Sequence, residues 1–305
     1  MFFTGPVALY GSGEMRYPLL ESRWLGPQVR LLRVHAPHVT RNCRPGQFVI
    51  VRAEAGGERI PLTIADFDRA AGTIVLIVQA VGATTQALCA LEAGGEIPDV
   101  AGPMGKPTEV HRVGHAVVVG GGVGTAVIYP QARALKAAGN RVTAIIGGRS
   151  SRYVILEQEL AAVCDEVLPC TDDGSYGERG LVTDQLTKLI NQTNMPVAAV
   201  LCAGPVPMMR AVAEVTRPLC IPTVASLNPI MVDGTGMCGG CRVRCGGEVK
   251  FACVDGPEFD AHLVDFKELR DRLTAYREHE SMSLQQQQQQ HVCRSAATPV
   301  GGGHA

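Results

Sequence analysis

From Gln28 onward the chain is organised by short aliphatic runs whose spacing changes partway along. Val29–Val34, Gln47–Arg52, Ile60–Ile64 and Thr73–Val78 are β-branched segments separated by Pro45-Gly46, Gly56-Gly57 and Gly72. Strand-length runs divided by turn formers predict a barrel or sandwich. An all-β domain over residues 26–110 is the expectation, closed by the turn-rich stretch from Gly94-Gly95 to Gly102-Pro103-Met104-Gly105. Residues 1–25 show little pattern and read as a leader. Beyond residue 110 the period lengthens. His115–Val119 reads as a buried parallel strand, Gly120–Gly124 as a tight turn and Ala126–Ala138 as a helix ending at Gly139-Asn140. Arg141–Ile146 and Val197–Cys202 are further strands with helical stretches such as Leu156–Val163 between them, so an α/β nucleotide-binding domain is expected over 111–225. Pro130 removes a backbone donor inside the first helix and predicts a kink or a late start. Val264–Arg277 places Phe266, Leu269, Leu273 and Tyr276 at helical spacing among charges, which describes a surface helix. The run Gln285–Gln290 and the Gly/Ala/Ser-rich end after it read as a disordered tail over 281–305.

Composition narrows the function classes. Lys plus Arg number 28 against 29 Asp plus Glu, for a net charge of −1, so no basic face for nucleic acid is implied. No apolar run approaches the length of a membrane span, and the start Met-Phe-Phe-Thr-Gly-Pro lacks the basic region of a secretory signal. Eleven cysteines form an odd set. The expectation is a soluble, cytoplasmic protein in a reducing compartment.

The densest chemistry is Asp233-Gly-Thr-Gly-Met-Cys238-Gly-Gly-Cys241, followed after eleven residues by Cys253. A carboxylate and three cysteines at spacings of four, two and eleven resemble the plant-type iron–sulfur pattern, with Asp233 where the first cysteine is expected. Thiolates are the soft ligands such a cluster needs, and four interleaved glycines let the backbone wrap a compact core. Structural zinc also suits Cys-x2-Cys with a further cysteine, and buried core cysteines are the bland alternative. Cys245, three residues beyond Cys241 in a segment that reads as a strand entering a hairpin, competes with Asp233 as fourth ligand. The loop around Asp233 can bend about a cluster, whereas a strand residue projects where its pleat dictates, which favours Asp233.

The second candidate is Gly120-Gly-Gly-Val-Gly-Thr125. Its glycines allow backbone amides and a helix N-terminus to face a phosphate. It does not follow the G-x-G-x-x-G spacing, no acidic residue ends the second strand, and a purely structural turn is the alternative. Asp172 and Asp173 could form a catalytic pair, although loop capping beside Gly174 explains them better.

These motifs stand in the order found in ferredoxin-NADP reductase-like flavoproteins: Arg59-Ile-Pro-Leu-Thr63, the turn Gly120–Ala126, Cys202-Ala-Gly-Pro205 and the cysteine stretch. With Thr171–Gly177, Ser226–Cys238 and Phe251–Phe259, the chain resembles the small subunits of NADH-dependent reduced ferredoxin:NADP+ oxidoreductases, also described as sulfide dehydrogenases. The electron-transfer subunit of dihydroorotate dehydrogenase B is a near relative. The resemblance implies a β-barrel FAD domain, an α/β nucleotide-binding domain and a small C-terminal [2Fe-2S] subdomain over 226–280.

The resemblance further implies that Arg59 holds the FAD pyrophosphate, that Thr63 lies near flavin N5, and that Pro61 and Leu62 line the ring, Leu62 covering it where an aromatic often stands. Val81, Gly82, Thr84 and Thr85 look like a second FAD phosphate segment, although a turn before a helix cap explains them equally. Gly121, Gly122, Val123, Gly124 and Thr125 would border the nicotinamide nucleotide, and Cys202, Gly204 and Pro205 its ring. Arg149 and Ser150 occupy the place where related reductases hold a 2′-phosphate, so NADP(H) stays open beside the implied NAD(H). The implied cluster ligands are Asp233, Cys238, Cys241 and Cys253. No side chain is expected to act as general acid or base. A larger flavin and iron–sulfur subunit in a heterodimer is the expected partner, with ferredoxin engaged indirectly and no nucleic acid or membrane. The alternatives are the electron-transfer subunit of dihydroorotate dehydrogenase B, a stand-alone NAD(P)H reductase, and a non-catalytic metal-binding scaffold.

Overall fold

The computed structural model describes residues 16–54, 56–192 and 194–275. Its first unit is a curled antiparallel sheet built from β1 (Tyr17–Gly26), β2 (Val29–His35), β3 (Phe48–Arg52), β4 (Arg59–Asp68), β5 (Thr73–Gln79), β6 (Glu96–Ile97) and β7 (Asp99–Met104), with the short helices α1 (Pro37–Thr40) and α2 (Ala83–Cys89). Strand order is β6-β1-β2-β5-β4-β3-β7. The second unit is an α/β layer of β8 (His115–Gly121), α3 (Thr125–Ala137), β9 (Arg141–Gly148), α4 (Glu157–Ala161), β10 (Glu166–Thr171), β11 (Glu178–Arg179), α5 (Val182–Gln192), β12 (Val197–Ala203), α6 (Val206–Thr216) and β13 (Thr223–Ser226). The C-terminal arm adds the hairpin β14 (Arg242–Cys245) and β15 (Glu248–Phe251), then α7 (Ala252–Asp255), β16 (Glu258–Asp260) and α8 (Phe266–Thr274).

Two boundaries differ from the sequence expectation. Tyr17–Gly26, read as part of a leader, is a ten-residue strand paired with β2 and β6. Its outer face carries Glu21, bonded to Arg23 and Arg33, and that charge pattern masks the apolar alternation. The segment Gly94–Gly105, read as turns, contains β6 and β7. The arm after residue 226, the expected C-terminal subdomain, packs against the α/β unit. β16 pairs antiparallel with β13 and so extends the parallel sheet, and Cys241, Val243 and Cys253 share one apolar core with Val117, Val200 and Met209. Residues 1–15 of the expected leader, the expected tail and Tyr276 lie outside the described residues.

Unbroken apolar runs in the barrel have a physical reason. In β2, Leu32 and Val34 fill the barrel interior, while Val29 and Leu31 face outward onto Ala126, Ile155 and Leu156 of the α/β unit. Both faces are covered, so strict alternation is lost. Each aliphatic side chain buried at this joint contributes roughly 1.5–3 kcal/mol. An Arg133–Asp66 ion pair at 2.5 Å ties α3 to β4 across the same joint. α3 runs through the buried Pro130 from Thr125, so the late start expected there does not occur.

Candidate functional site

The site is built on the outer face of β3 and β4. Directly opposed residues of an antiparallel pair share a face. Thr63 is opposite Phe48 and Pro61 opposite Ile50, and both partners belong to the core running into the α/β unit. Leu62 is opposite Val49 and packs with it into the barrel interior. The role implied for Leu62 is therefore corrected: alternation turns it away from the cleft, and Pro61 and Thr63 face it instead.

Arg59 ends this face. It lies directly across from Arg52, and both guanidinium groups reach one Asp99 oxygen, at 3.3 and 3.1 Å. Arg52 Nε is buried without a hydrogen-bond partner. Two cations, a single carboxylate and an orphan N–H leave a positive, unsatisfied spot that fits a diphosphate. Sequence reading missed Arg52, which at a strand end resembles any surface arginine. In the second segment, Thr85 Oγ1 accepts from the amides of Val81 and Gly82 at 3.1 and 2.9 Å. Thr84 Oγ1 donates to Glu58 at 3.2 Å. Thr85 thus caps α2, as the local reading allowed.

The glycine turn meets this face from the other unit. Ala65, two residues beyond Thr63, packs in one cluster with Ala126 in the first turn of α3. β8 and β12 are parallel neighbours with Gly120 in register with Ala203, so the Gly120–Thr125 turn and Cys202–Pro205 stand side by side at the carboxyl ends of the strands. Close approach explains the glycines. A Cβ on Gly124 would strike the Ala203 carbonyl oxygen and come within 2.8 Å of Gly204 Cα. One on Gly121 would strike Met208 Sδ, a residue with no sequence signal, and Met208 Cε would be 2.9 Å from one on Gly204. Gly122 has φ +55° with open space beside it. No side chain caps α3, whose first amide, that of Thr125, donates to Gly122 O in the turn that leads into it.

Cys202 is buried, and burial alone pushes its thiol up to about 12. The thiol is therefore neutral and not a nucleophile. Arg149 and Ser150 follow β9, with Arg149 exposed. Above them the Thr171–Gly177 loop is closed by Asp173, whose carboxylate accepts from Ser175 N and Oγ at 2.9 and 2.6 Å. Those bonds hold Asp173 below its usual range and give it the capping role.

The cysteine loop lies against the barrel. A Cβ on Gly234 would strike Met104 Sδ and approach Ile50 Cγ1 to 3.0 Å, which puts the loop beside the Pro61 face. Cys241 and Cys253 are buried with their sulfurs 3.1 Å apart. Amide N–H groups of Cys253 and Gly240 point at the sulfurs of Cys241 and Cys238, each at 3.4 Å. Burial, then the Cys241 neighbour, raises the Cys253 thiol, and a bound cation would reverse that cost. Cys238 is exposed. Asp233 accepts from the amides of Thr235 and Cys238, each at 2.8 Å. Among the described residues no three Cys, His, Asp or Glu side chains converge at metal-binding distance. Two of the four implied ligands are together, and Asp233 and Cys238 form a glycine-hinged lip beside them. The donors fit an iron–sulfur group: thiols, N–H···S bonds and a glycine-rich loop whose backbone can wrap a compact core. Cys245 sits on β14 opposite Glu248.

A barrel joined to a parallel α/β sheet, with a cysteine arm between them, defines an oxidoreductase of the ferredoxin-NADP reductase fold. Comparisons with known proteins agree. The pattern for the iron–sulfur cluster binding domain of dihydroorotate dehydrogenase B matches residues 228–265. The chain is 47% identical over 252 residues, 83% of its length and 88% of the relative's, to the dihydroorotate dehydrogenase B (NAD(+)) electron transfer subunit homolog of Thermotoga maritima. It is 33% identical over 261 residues, 83% of its length and 98% of the relative's, to the electron transfer subunit of that enzyme from Bacillus caldolyticus. A solved structure of the NADH-dependent reduced ferredoxin-NADP oxidoreductase, studied for flavin-based electron bifurcation, superposes with TM-score 0.84 at 42% identity over 90% of this chain and 99% of that one. Phthalate dioxygenase reductase shares the fold, with TM-score 0.54 at 18% identity over 67% of this chain and 64% of that one. The chain belongs to the family of dihydroorotate dehydrogenase B electron-transfer subunits and is an oxidoreductase electron-transfer subunit. No helix among the described residues is long and apolar enough to cross a membrane.

Proposed function

We propose that this chain takes electrons from NAD(H) through FAD to a [2Fe-2S] cluster and delivers them to a larger partner subunit of a ferredoxin:NADP+ oxidoreductase. When bound, FAD accepts a hydride and releases single electrons, which an iron–sulfur cluster carries one at a time. Arg52 and Arg59 neutralise the flavin diphosphate, Pro61 and Thr63 present the strand face to its ring, and Asp99 orients both guanidinium groups. Gly121, Gly122, Val123, Gly124 and Thr125 cradle the nicotinamide nucleotide, with Cys202, Gly204 and Pro205 beneath it and Met208 as cover. Asp233, Cys238, Cys241 and Cys253 hold the cluster. One observation supports the whole: a single barrel face touches α3 through Ala65 and the cysteine loop through Ile50.

The isolated chain is expected to oxidise NADH with a diffusible one-electron acceptor and to fail in NADP+ reduction by reduced ferredoxin. Full ferredoxin-dependent activity of the chain alone would refute the partner. A partner that oxidises dihydroorotate is the second reading, supported by the names of the relatives. Supplying dihydroorotate or reduced ferredoxin to the complex purified from its native cell separates the two.

Arg59→Ala is expected to lose FAD about tenfold or more, the value of one charge-assisted contact at roughly 1.5–3 kcal/mol. An unchanged ratio of flavin to iron would remove Arg59 from the site. The partner docks over an apolar rim of Met237, 88% exposed beside Cys238, with Val232 and Val254. Met237→Asp is expected to weaken co-purification of the partner about tenfold or more, since burying such a side chain is worth roughly 1.5–3 kcal/mol. Iron content measured in parallel distinguishes lost docking from a lost cluster, and undiminished co-purification would move the interface elsewhere.

A further inference from the structure

Glu258 has no part in the electron path above, yet three regions of the chain meet at its carboxyl. It lies on β16, five residues after Cys253, opposite Ser226 at the carboxyl end of β13. Its Oε1 accepts from Thr108 Oγ1 at 2.6 Å, on the linker between the two units, and from Gln131 Nε2 at 2.5 Å, on α3. The barrel loop closes over the group. A Cβ on Gly46, at φ +84°, would strike Thr108 Oγ1 and lie 2.7 Å from Glu258 Oε1, and the Thr108 amide donates to Pro45 O at 2.9 Å. Part of the residue's surface is open, but the bonded oxygen is enclosed by these contacts.

We propose that Glu258 is a positioning residue whose carboxyl clamps the cluster arm, the helix behind the glycine turn and the interdomain linker together, and that its protonation state sets how tightly they hold. The inference rests on the reading of that arm as the cluster carrier, but the clamp itself is a matter of packing and charge. Burial raises the Glu258 carboxyl to about 7, the bonds from Thr108 and Gln131 oppose that rise, and the anion Glu109 on the linker adds to it. Charge at this junction is uncompensated: α3 presents the amide of Gln131, β13 presents Ser226, the barrel loop presents Gly46, and no cation is among the influences on the group. α3's own cations Arg133 and Lys136 are paired with Asp66 and Asp165. An acid held up in this way binds its proton in the folded chain and releases it on unfolding. Its contribution is full below its ordinary value of 4.5, falls as pH rises, and is gone above about 7.

The test compares the holoprotein with Glu258→Gln, which keeps the accepting oxygen but cannot ionise. Thermal midpoints are measured between mildly acidic and mildly alkaline pH, with amide exchange followed over 125–131 and 256–260. The wild type is expected to lose several degrees relative to E258Q as pH rises to about 7, with faster exchange in both segments, and E258Q is expected to show neither change. Gln131→Leu should widen the difference between the two proteins, because it removes a bond that favours the ionised carboxyl and so leaves burial less opposed. Parallel pH profiles for wild type and E258Q would overturn the clamp. A wild type purified without flavin and iron would instead overturn the proposed function, and the stability profile would still decide the clamp.

Discussion

Cys253→Ser is expected to abolish the iron–sulfur absorption and reduce bound iron to a small fraction of wild type while leaving the flavin in place. The reason is the buried pairing of Cys253 with Cys241, sulfurs 3.1 Å apart. Serine offers a harder, far less acidic donor in a space that disfavours charge. On the scale of structural metal sites, on the order of 10–16 kcal/mol shared among four ligands, one lost thiolate is worth roughly 3 kcal/mol, or more than a hundredfold in affinity. Flavin should persist because Arg52 and Arg59 stand on the barrel. Full iron in Cys253→Ser would exclude the thiol as a ligand. The fourth position needs a different variant. Asp233 accepts two backbone amides, so Asp233→Ala could lose iron merely by opening the loop. Asp233→Cys is the discriminating change and should shift the spectrum towards the plant-type form, while Cys245→Ser should leave iron near normal.

Gly124→Ala is expected to eliminate NADH-dependent reduction with flavin and iron retained. Its Cβ would be driven into the carbonyl of Ala203 and against Gly204, which are backbone atoms that no rotamer can move. Overpacking of this kind costs typically about 1–3 kcal/mol and displaces the turn from β12, against which we propose the nucleotide binds. Gly122→Ala is the contrast. Its φ of +55° would cost alanine roughly 1–2 kcal/mol, but the space beside it is open. A moderate rise in the KM for NADH is expected there. Equal and small effects in both variants, measured by stopped-flow reduction, would detach the turn from nucleotide binding.

Much of this was legible because burial on both faces writes itself as uninterrupted aliphatic runs. The strands at Val29, Phe48, Thr73, His115, Arg141 and Val197 all begin within a residue of their expected starts. Where a strand is half exposed or interrupted, the signal fails. β1 carries Glu21 and Arg23 outward, and β10 contains Pro169. The error at Leu62 has another cause. A motif fixes spacing along the chain, but only pairing with Val49 reveals which face the residue occupies. The convergence itself was beyond sequence, because Ile50 and Gly234, or Gly46 and Glu258, are brought together only by the tertiary fold.

In the proposed function one chain holds both redox groups, and NADH reduces them in turn. The most direct measurement is an anaerobic NADH titration of the purified chain, followed by visible absorption and referenced to measured flavin, iron and acid-labile sulfide. The expected result is flavin equimolar with the chain, iron and sulfide in [2Fe-2S] proportion, and loss of the flavin band accompanied by bleaching of the broad iron–sulfur envelope. A colourless protein containing zinc, or a flavin that bleaches while the iron–sulfur envelope stays unchanged in excess NADH, would contradict it.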